Sequence, residues 1–304
     1  MAGRMKLENV VSGKIETPYR ICLYGPEGIG KSTFASQAPS PIFLGAEDGT
    51  NEIDTNRFPP PKEWSEIFEA ISTLRQDSHD YKTLVIDTLD ACQPLCWEAV
   101  CATARKKHIE EFDYGKGYTA AVDRWRELSI HLDLLRKQRG MNIILLAHSD
   151  IKKHKNPEGE DYDRYILMLH EKSAAIIKRW VDALLFTNYE TFTTEKDGRA
   201  KGVDRGARLI YTERRAAFDA KNRFGLPPKL SLSYDEFQLA REIGPGPPEQ
   251  YLKEIAALAE KASDDIKEKV NEYVKKAGKN ALNLSKTLDW LRAKVTTNES
   301  NETV

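Results

Sequence analysis

Residues 25–32 read GPEGIGKS and fit the pattern G-x-x-x-x-G-K-[ST]. An apolar run, RICLY at 20–24, precedes them, and a helical candidate at 31–37 follows. Glycines in such a turn let successive backbone N–H groups converge on phosphate oxygens, and the start of the helix adds partial positive charge. The lysine would bridge the β- and γ-phosphates, and the hydroxyl after it would hold Mg²⁺. Strand, glycine turn and helix in that order are the context the pattern needs. Gly25, Pro26, Glu27, Gly28, Ile29, Gly30, Lys31, Ser32 and Thr33 are therefore the expected nucleotide cradle. Lys31 is expected to act in catalysis as well, and Ser32 to be a metal ligand.

Outward from this loop, short apolar runs alternate with helical stretches over the first 190 residues. IFLGA (42–46), TLVID (83–87) and NIILLAH (142–148) join 20–24 as strands buried on both faces, as in a parallel sheet. Helices are expected over 64–76, 89–107 and 118–139, the last with Trp125, Leu128, Leu132 and Leu135 on one face. RKKH at 105–108 would complement a helix C-terminus. Strand–helix alternation with right-handed crossovers gives a doubly wound α/β sheet. Residues 149–165 (SDIKKHKNPEGEDYDRY) are polar, contain Pro and Gly, and read as one long loop. A helix over 173–180, a strand over 183–189, a hairpin tip at 195–206 and a returning strand at 208–212 follow. GPGPP at 244–248 reads as a linker between a core of 1–243 and a helical tail of 249–304. In the tail, Leu252, Ile255, Leu258, Ile266, Val270 and Val274 recur at helical steps.

The 304 residues suffice for one α/β domain with an appendage and a full core. With 40% hydrophobic and 31% charged residues the chain is globular, and the absence of a long uncharged apolar run predicts no membrane span. Residues 1–14 mix Lys and Glu and predict no secretory signal. Forty-six basic against 47 acidic residues leave a net charge of −1, so a nucleic-acid site would have to be a local patch. Cys22, Cys92, Cys96 and Cys101 contain no C-x-x-C pair, which argues against zinc and for a reducing compartment.

LVID (84–87) supplies the acidic partner of the phosphate loop, with Asp87 reaching the metal's hydration shell. Hydrolysis also needs a group to orient water, usually a carboxylate. In the AAA+ pattern a Glu directly follows the metal-binding Asp, and here Thr88 stands there. The other acids lie in GAEDGT (45–50), at the carboxyl end of the second strand, where ligands bind in parallel sheets. Glu47 or Asp48 would face the γ-phosphate, and Asp48 also reads as a turn former.

GAEDGT, LVIDTLD (84–90), NIILLAHSD (142–150) and AKNRFGLP (220–227) follow the phosphate loop in order. In this they resemble the small phage ATP-binding proteins of the RecA core group, over about residues 15–230. The resemblance implies a RecA-like P-loop NTPase with a mostly parallel central sheet, the C-terminal helices lying outside it. It implies hydrolysis of ATP with Mg²⁺ in homologous recombination or single-strand annealing. Single-stranded DNA and a single-strand-binding protein are the implied partners, in the cytoplasm of a phage-infected bacterial host. Assembly would be a homo-oligomer, ring or filament, with nucleotide at subunit interfaces and no membrane association.

The resemblance further implies that Glu47 activates water and that His148 occupies the γ-phosphate-sensing place, where many members of the recombinase branch have Gln. A neutral His still donates one hydrogen bond. Lys221 and Arg223, at i and i+2 of a strand, share a face and match cations that reach a neighbouring subunit's γ-phosphate. The loop after the sensing residue would contact DNA, and here it begins IKKHK. Lys152, Lys153 and Lys155 would neutralise phosphates, with Tyr162 and Tyr165 stacking on bases, although Glu158, Glu160, Asp161 and Asp163 nearly cancel the charge. The rival readings are a helicase loader or motor acting with a partner, a small-molecule kinase, and a nucleotide-binding adaptor. A kinase would need an Arg-bearing lid, and this loop holds only Arg164.

Overall fold

The computed structural model describes residues 6–13, 15–46, 49, 51–196, 199–243, 248–260 and 262–278. Beyond these it describes 283, 284, 286–288, 290, 291 and 294. In strand β1 (Arg20–Gly25), Cys22 and Tyr24 enter one apolar cluster while Ile21 and Leu23 enter another. That period of two is the mark of a strand covered on both faces. The chain continues through α1 (Lys31–Ser36), β2 (Pro41–Gly45), β3 (Asn56–Arg57), α2 (Trp64–Gln76), β4 (Thr83–Asp87), α3 (Leu89–Ala104) and α4 (Lys116–Arg139). After β5 (Asn142–His154), β6 (Tyr162–Leu167) and α5 (Glu171–Trp180) come β7 (Ala183–Lys196), β8 (Arg199–Tyr211), β9 (Lys221–Asn222), β10 (Lys229–Ser231) and α6 (Tyr234–Ile243). Helices α7 (Pro248–Ala259) and α8 (Asp264–Ala277) follow, and the described residues 283, 284, 286–288, 290, 291 and 294 are helical as well.

The sheet order is β10-β8-β7-β1-β5-β4-β2-β3, with β6 paired to β5 and β9 to β7. From β7 to β3 every pairing is parallel. The pairings that involve β6, β8, β9 and β10 are antiparallel. This is the expected α/β class with a mostly parallel central sheet, and one strand, β5, lies between the phosphate-loop strand and the Asp87 strand. On one face α2, α3, α4 and α5 bury Ile67, Cys96, Trp125 and Ile177, and on the other α1 and α6 bury Phe34 and Phe237. The four cysteines are all buried and free. A third apolar cluster joins Ile255 of α7 and Ile266 and Val270 of α8 to Leu284, Leu288 and Leu291. Of the expected linker, residues 244–247 lie outside the described residues. No helix among the described residues is long and apolar enough to cross a membrane.

The polar stretch read as a loop is instead a β-ribbon. Strand β5 runs on past the sheet to His154 and pairs with β6 in the register Ser149↔Leu167 through His154↔Tyr162. Only the tip is a turn, where the Asn156 N–H donates to Asp161 and the Glu158 N–H donates to the Asn156 side chain. Both strands are polar enough to be wetted, so the sequence shows no apolar alternation. The ribbon is held at its base by the buried Arg164, which donates to Asp219, and by the Tyr165 N–H, which donates to the Ala217 carbonyl. Helix α3 also stops earlier than expected, at Ala104, with Arg105 in the left-handed region at φ 54°.

Trp125 is fully buried and meets Trp64 edge-on, ring centroids 5.2 Å apart. Trp125→Ala is expected to lower the unfolding free energy by about 3–5 kcal/mol. Urea denaturation followed by circular dichroism measures this, and a loss below about 1 kcal/mol would contradict the packing described.

Candidate nucleotide site

Parallel register brings the strand ends level. Gly25 of β1 lies beside His148 of β5, and Gly45 of β2 beside Asp87 of β4. At this edge opens a cavity of about 380 Å³ whose lining includes Gly28, Gly30, Lys31, Ser32, Asp87 and His148. Two glycines of the loop are demanded by their surroundings. A Cβ on Gly25 would collide with the Thr187 carbonyl oxygen of β7. Gly30 has φ +106°, and a Cβ there would lie 2.7 Å from Arg208 Nη1. Within the rest of the cradle, Glu27 is exposed and Ile29 is fully buried.

Lys31 is 5% exposed, and its Nζ donates to the carbonyls of Gly25 (3.2 Å) and Pro26 (2.8 Å). The loop thus already surrounds the ammonium with oxygen acceptors. Ser32 Oγ donates to Asp87 Oδ2 at 2.6 Å. A hydroxyl and a carboxylate so close are hard oxygen donors of the kind Mg²⁺ takes, with water and phosphate completing its shell. The donor set therefore fits a Mg–nucleotide. Thr88, buried, caps α3 by accepting from the Ala91 N–H.

His148 is clasped twice by Asp90, on the first turn of α3. Its backbone N–H donates to Oδ1 at 2.8 Å, and its ring Nδ1 lies 2.7 Å from Oδ2. Burial pushes the Asp90 carboxyl up, but the hydrogen bonds from the His148 ring and backbone outweigh it and hold the group below its ordinary value of 3.8. Asp90 is therefore ionised at neutral pH, and Nδ1 carries the hydrogen. This amends the expectation for a neutral His148: its single ring N–H is directed to Asp90, so only the imidazolium has a second donor for a phosphate oxygen.

The remaining expected residues fall in three places. Glu47 and Asp48 lie outside the described residues. Lys221 departs from its expected role, because its Nζ donates to the carbonyls of Lys178, Arg179 and Val181 at the end of α5. Those carbonyls are the acceptors a helix leaves open at its C-terminus, and a cation there is favoured. Arg223 is 58% exposed and stands 3.8 Å from Asp182. Lys152 and Lys153 lie on β5 beyond the sheet, and Lys155 begins the ribbon turn. Tyr165 is not presented for base stacking: it is half-buried and packs on Phe186, centroids 5.1 Å apart. Tyr162 leans on the His154 ring.

Two contributors escaped sequence reasoning. Asp90 had one visible signal, a second acid three residues after Asp87 at the mouth of a helix. Arg208 of β8 had none. Its Nη1 donates to the Ile29 carbonyl at 3.1 Å and so fastens the phosphate loop to β8.

Residues 17–224 match the family model AAA_24, described as an AAA domain. A 150-residue stretch, 46% of this chain, is 25% identical to the SPbeta prophage-derived uncharacterized protein YorG of Bacillus subtilis (strain 168), and the match spans 44% of that protein. Among solved structures the chain is similar to the RadB recombinase (TM-score 0.38, 14% identity, 66% of this chain and 84% of that one). It is also similar to the flagellar accessory protein FlaH from Methanocaldococcus jannaschii (TM-score 0.34, 13% identity, 76% of this chain and 96% of that one).

Because the folded value of Asp90 is depressed, the stability its charge contributes is complete above the unfolded carboxylate value and is lost as pH falls through the lower folded one. A carbon-13 carboxyl titration is expected to place the Asp90 midpoint below 3.8. In His148→Ala it should rise, since the ring's hydrogen bond and charge are lost while burial remains. An unchanged midpoint in the variant would refute the clasp.

Proposed function

From the premise that the chain belongs to the AAA domain family (AAA_24), we propose that it is a Mg²⁺-dependent ATPase of RecA-like fold that binds single-stranded DNA and assists phage-type recombination or strand annealing. The observation that carries this is one continuous strand. His148, at the cavity with Lys31, Ser32 and Asp87, lies on β5, and β5 continues outward to Lys152 and Lys153 on the ribbon. A change felt at the nucleotide is transmitted along the same backbone to cations suited to a phosphodiester strand. The prophage origin of YorG supports a phage setting.

In this reading Lys31 exchanges its carbonyl partners for the β- and γ-phosphates, and Ser32 and Asp87 hold Mg²⁺, which neutralises phosphate charge when bound. Glu47, two residues past the end of β2, accepts a proton from the attacking water and orients it. The imidazolium form of His148 donates from its second nitrogen to the γ-phosphate. Arg223 serves a neighbouring subunit's nucleotide in a ring or filament, whereas Lys221 stays with α5. Residues 1–243 form the ATPase body and 249–304 an appended helical unit, with Pro248 of the expected 244–248 linker already opening α7; the separate apolar cluster of α7 and α8 supports the division.

Phosphate release from ATP, with and without single-stranded DNA, tests the reading. DNA is expected to raise turnover. Lys31→Ala should abolish nucleotide binding, and Glu47→Gln should keep binding while lowering kcat by about 10²–10⁴-fold. Arg223→Ala should lower kcat by about 10³-fold or more without dissociating the oligomer. Turnover that ignores DNA and survives Glu47→Gln would overturn both the Glu47 role and the recombination reading, in favour of a partner-dependent loader or a kinase.

A further inference from the structure

A second cavity, of about 280 Å³, lies between the ribbon and α5, away from the phosphate loop. Four cations (Lys152, Lys153, Arg164 and Lys178) line it against two carboxylates, Glu171 and Asp219. The ribbon register sets Lys152 directly opposite Arg164. Directly paired residues of antiparallel strands project from the same face, and like charges there repel. The fold accepts that cost beside a third cation, Lys178, whose Nζ shares the Asp219 carboxylate with Arg164. Two carboxylates against four cations leave the cavity lining with a net positive charge.

Arg164 is the decisive group. It is 6% exposed, and its Nη2 donates to Asp219 and to the Arg215 carbonyl. Its Nε, equally buried, has no hydrogen-bond partner. A guanidinium N–H left without an acceptor in a buried place is costly, and an oxyanion in the adjoining cavity would satisfy it. The surrounding field is positive in net effect. Burial pushes the Asp219 carboxyl up, yet Lys178, Arg164 and Arg214 together hold it below the ordinary range. A tetrahedral phosphate accepts from a guanidinium N–H and two ammonium groups at once, which a planar carboxylate does less well.

We propose that this cavity is a phosphate-binding site, separate from the nucleotide site, in which Arg164 Nε and the ammonium groups of Lys152 and Lys178 hold one phosphate group. That group is either a phosphodiester of a nucleic-acid strand or a free phosphate. In the first case the site deepens the single-stranded DNA reading; in the second it stands without it.

The test is calorimetric titration of inorganic phosphate into the full chain carrying Lys31→Ala, which removes the phosphate loop as a competitor and requires no turnover. Saturable binding at one site per chain is expected. Adding Lys152→Ala, at an exposed position, should weaken it about tenfold, the worth of one charge-assisted hydrogen bond. Arg164→Lys, which keeps the charge but removes Nε, should weaken it by about the same factor. Displacement of phosphate by a thymidine single strand identifies the phosphodiester as the natural source, and failure to displace it identifies free phosphate. Absence of saturable binding, or binding unchanged by both added substitutions, overturns the site. If Arg164→Lys does not fold, Lys152→Ala alone decides. DNA-stimulated ATP hydrolysis measured separately keeps failure of this site distinct from failure of the ATPase reading.

Discussion

The parallel register of β2, β4, β5 and β1 is the constraint on which the rest depends. A parallel ladder fixes the strands' ends relative to one another, and here it lays Gly25, His148, Gly45 and Asp87 along a single edge. The phosphate loop springs from that edge and cannot be reached from elsewhere in the sheet. Register is defended by burial on both faces, since a one-residue slip would move Cys22 and Tyr24 into the cluster built for Ile21 and Leu23. Chemistry at the cavity is therefore secured by hydrocarbon packing some distance beneath it.

His148 belongs to two structures at once. It ends the buried part of β5 and begins the wetted part, and Asp90 grips both its backbone and its ring. Because one carboxylate holds both the backbone and the ring of this residue, the ring position and the path of the ribbon are coupled. The ribbon is anchored again at Arg164 and Tyr165.

Much of this was legible from the residues. Helix α2 and strand β4 begin and end where apolar periodicity and its punctuation set them, because buried elements leave their period in the sequence. The phosphate loop was legible because its glycines answer to steric demands that few other residues meet. The ribbon was not: with polar side chains on both faces, its stability comes from backbone pairing, which composition does not record. Lys221 looked like a cation awaiting an anion, since the three carbonyls that receive it lie 40 to 43 residues earlier in the chain. Asp90 and Arg164 depend on partners 58 and 55 residues away, and no local pattern announces a contact of that span.

The segment from Asp87 to Asp90 has a consequence for how this chain tolerates change in length. Asp87 is the last residue of a strand and answers to Ser32, while Asp90 is the second residue of a helix and answers to His148. Two residues separate two obligations on different neighbours. Inserting or deleting one residue between them would swing Asp90 by about 100° around the helix axis while Asp87 stayed put. Loops elsewhere on the surface absorb insertions cheaply. This four-residue segment works as a fixed-length spacer, and drift in the family should appear here as exchange of residue type and not as gain or loss of residues.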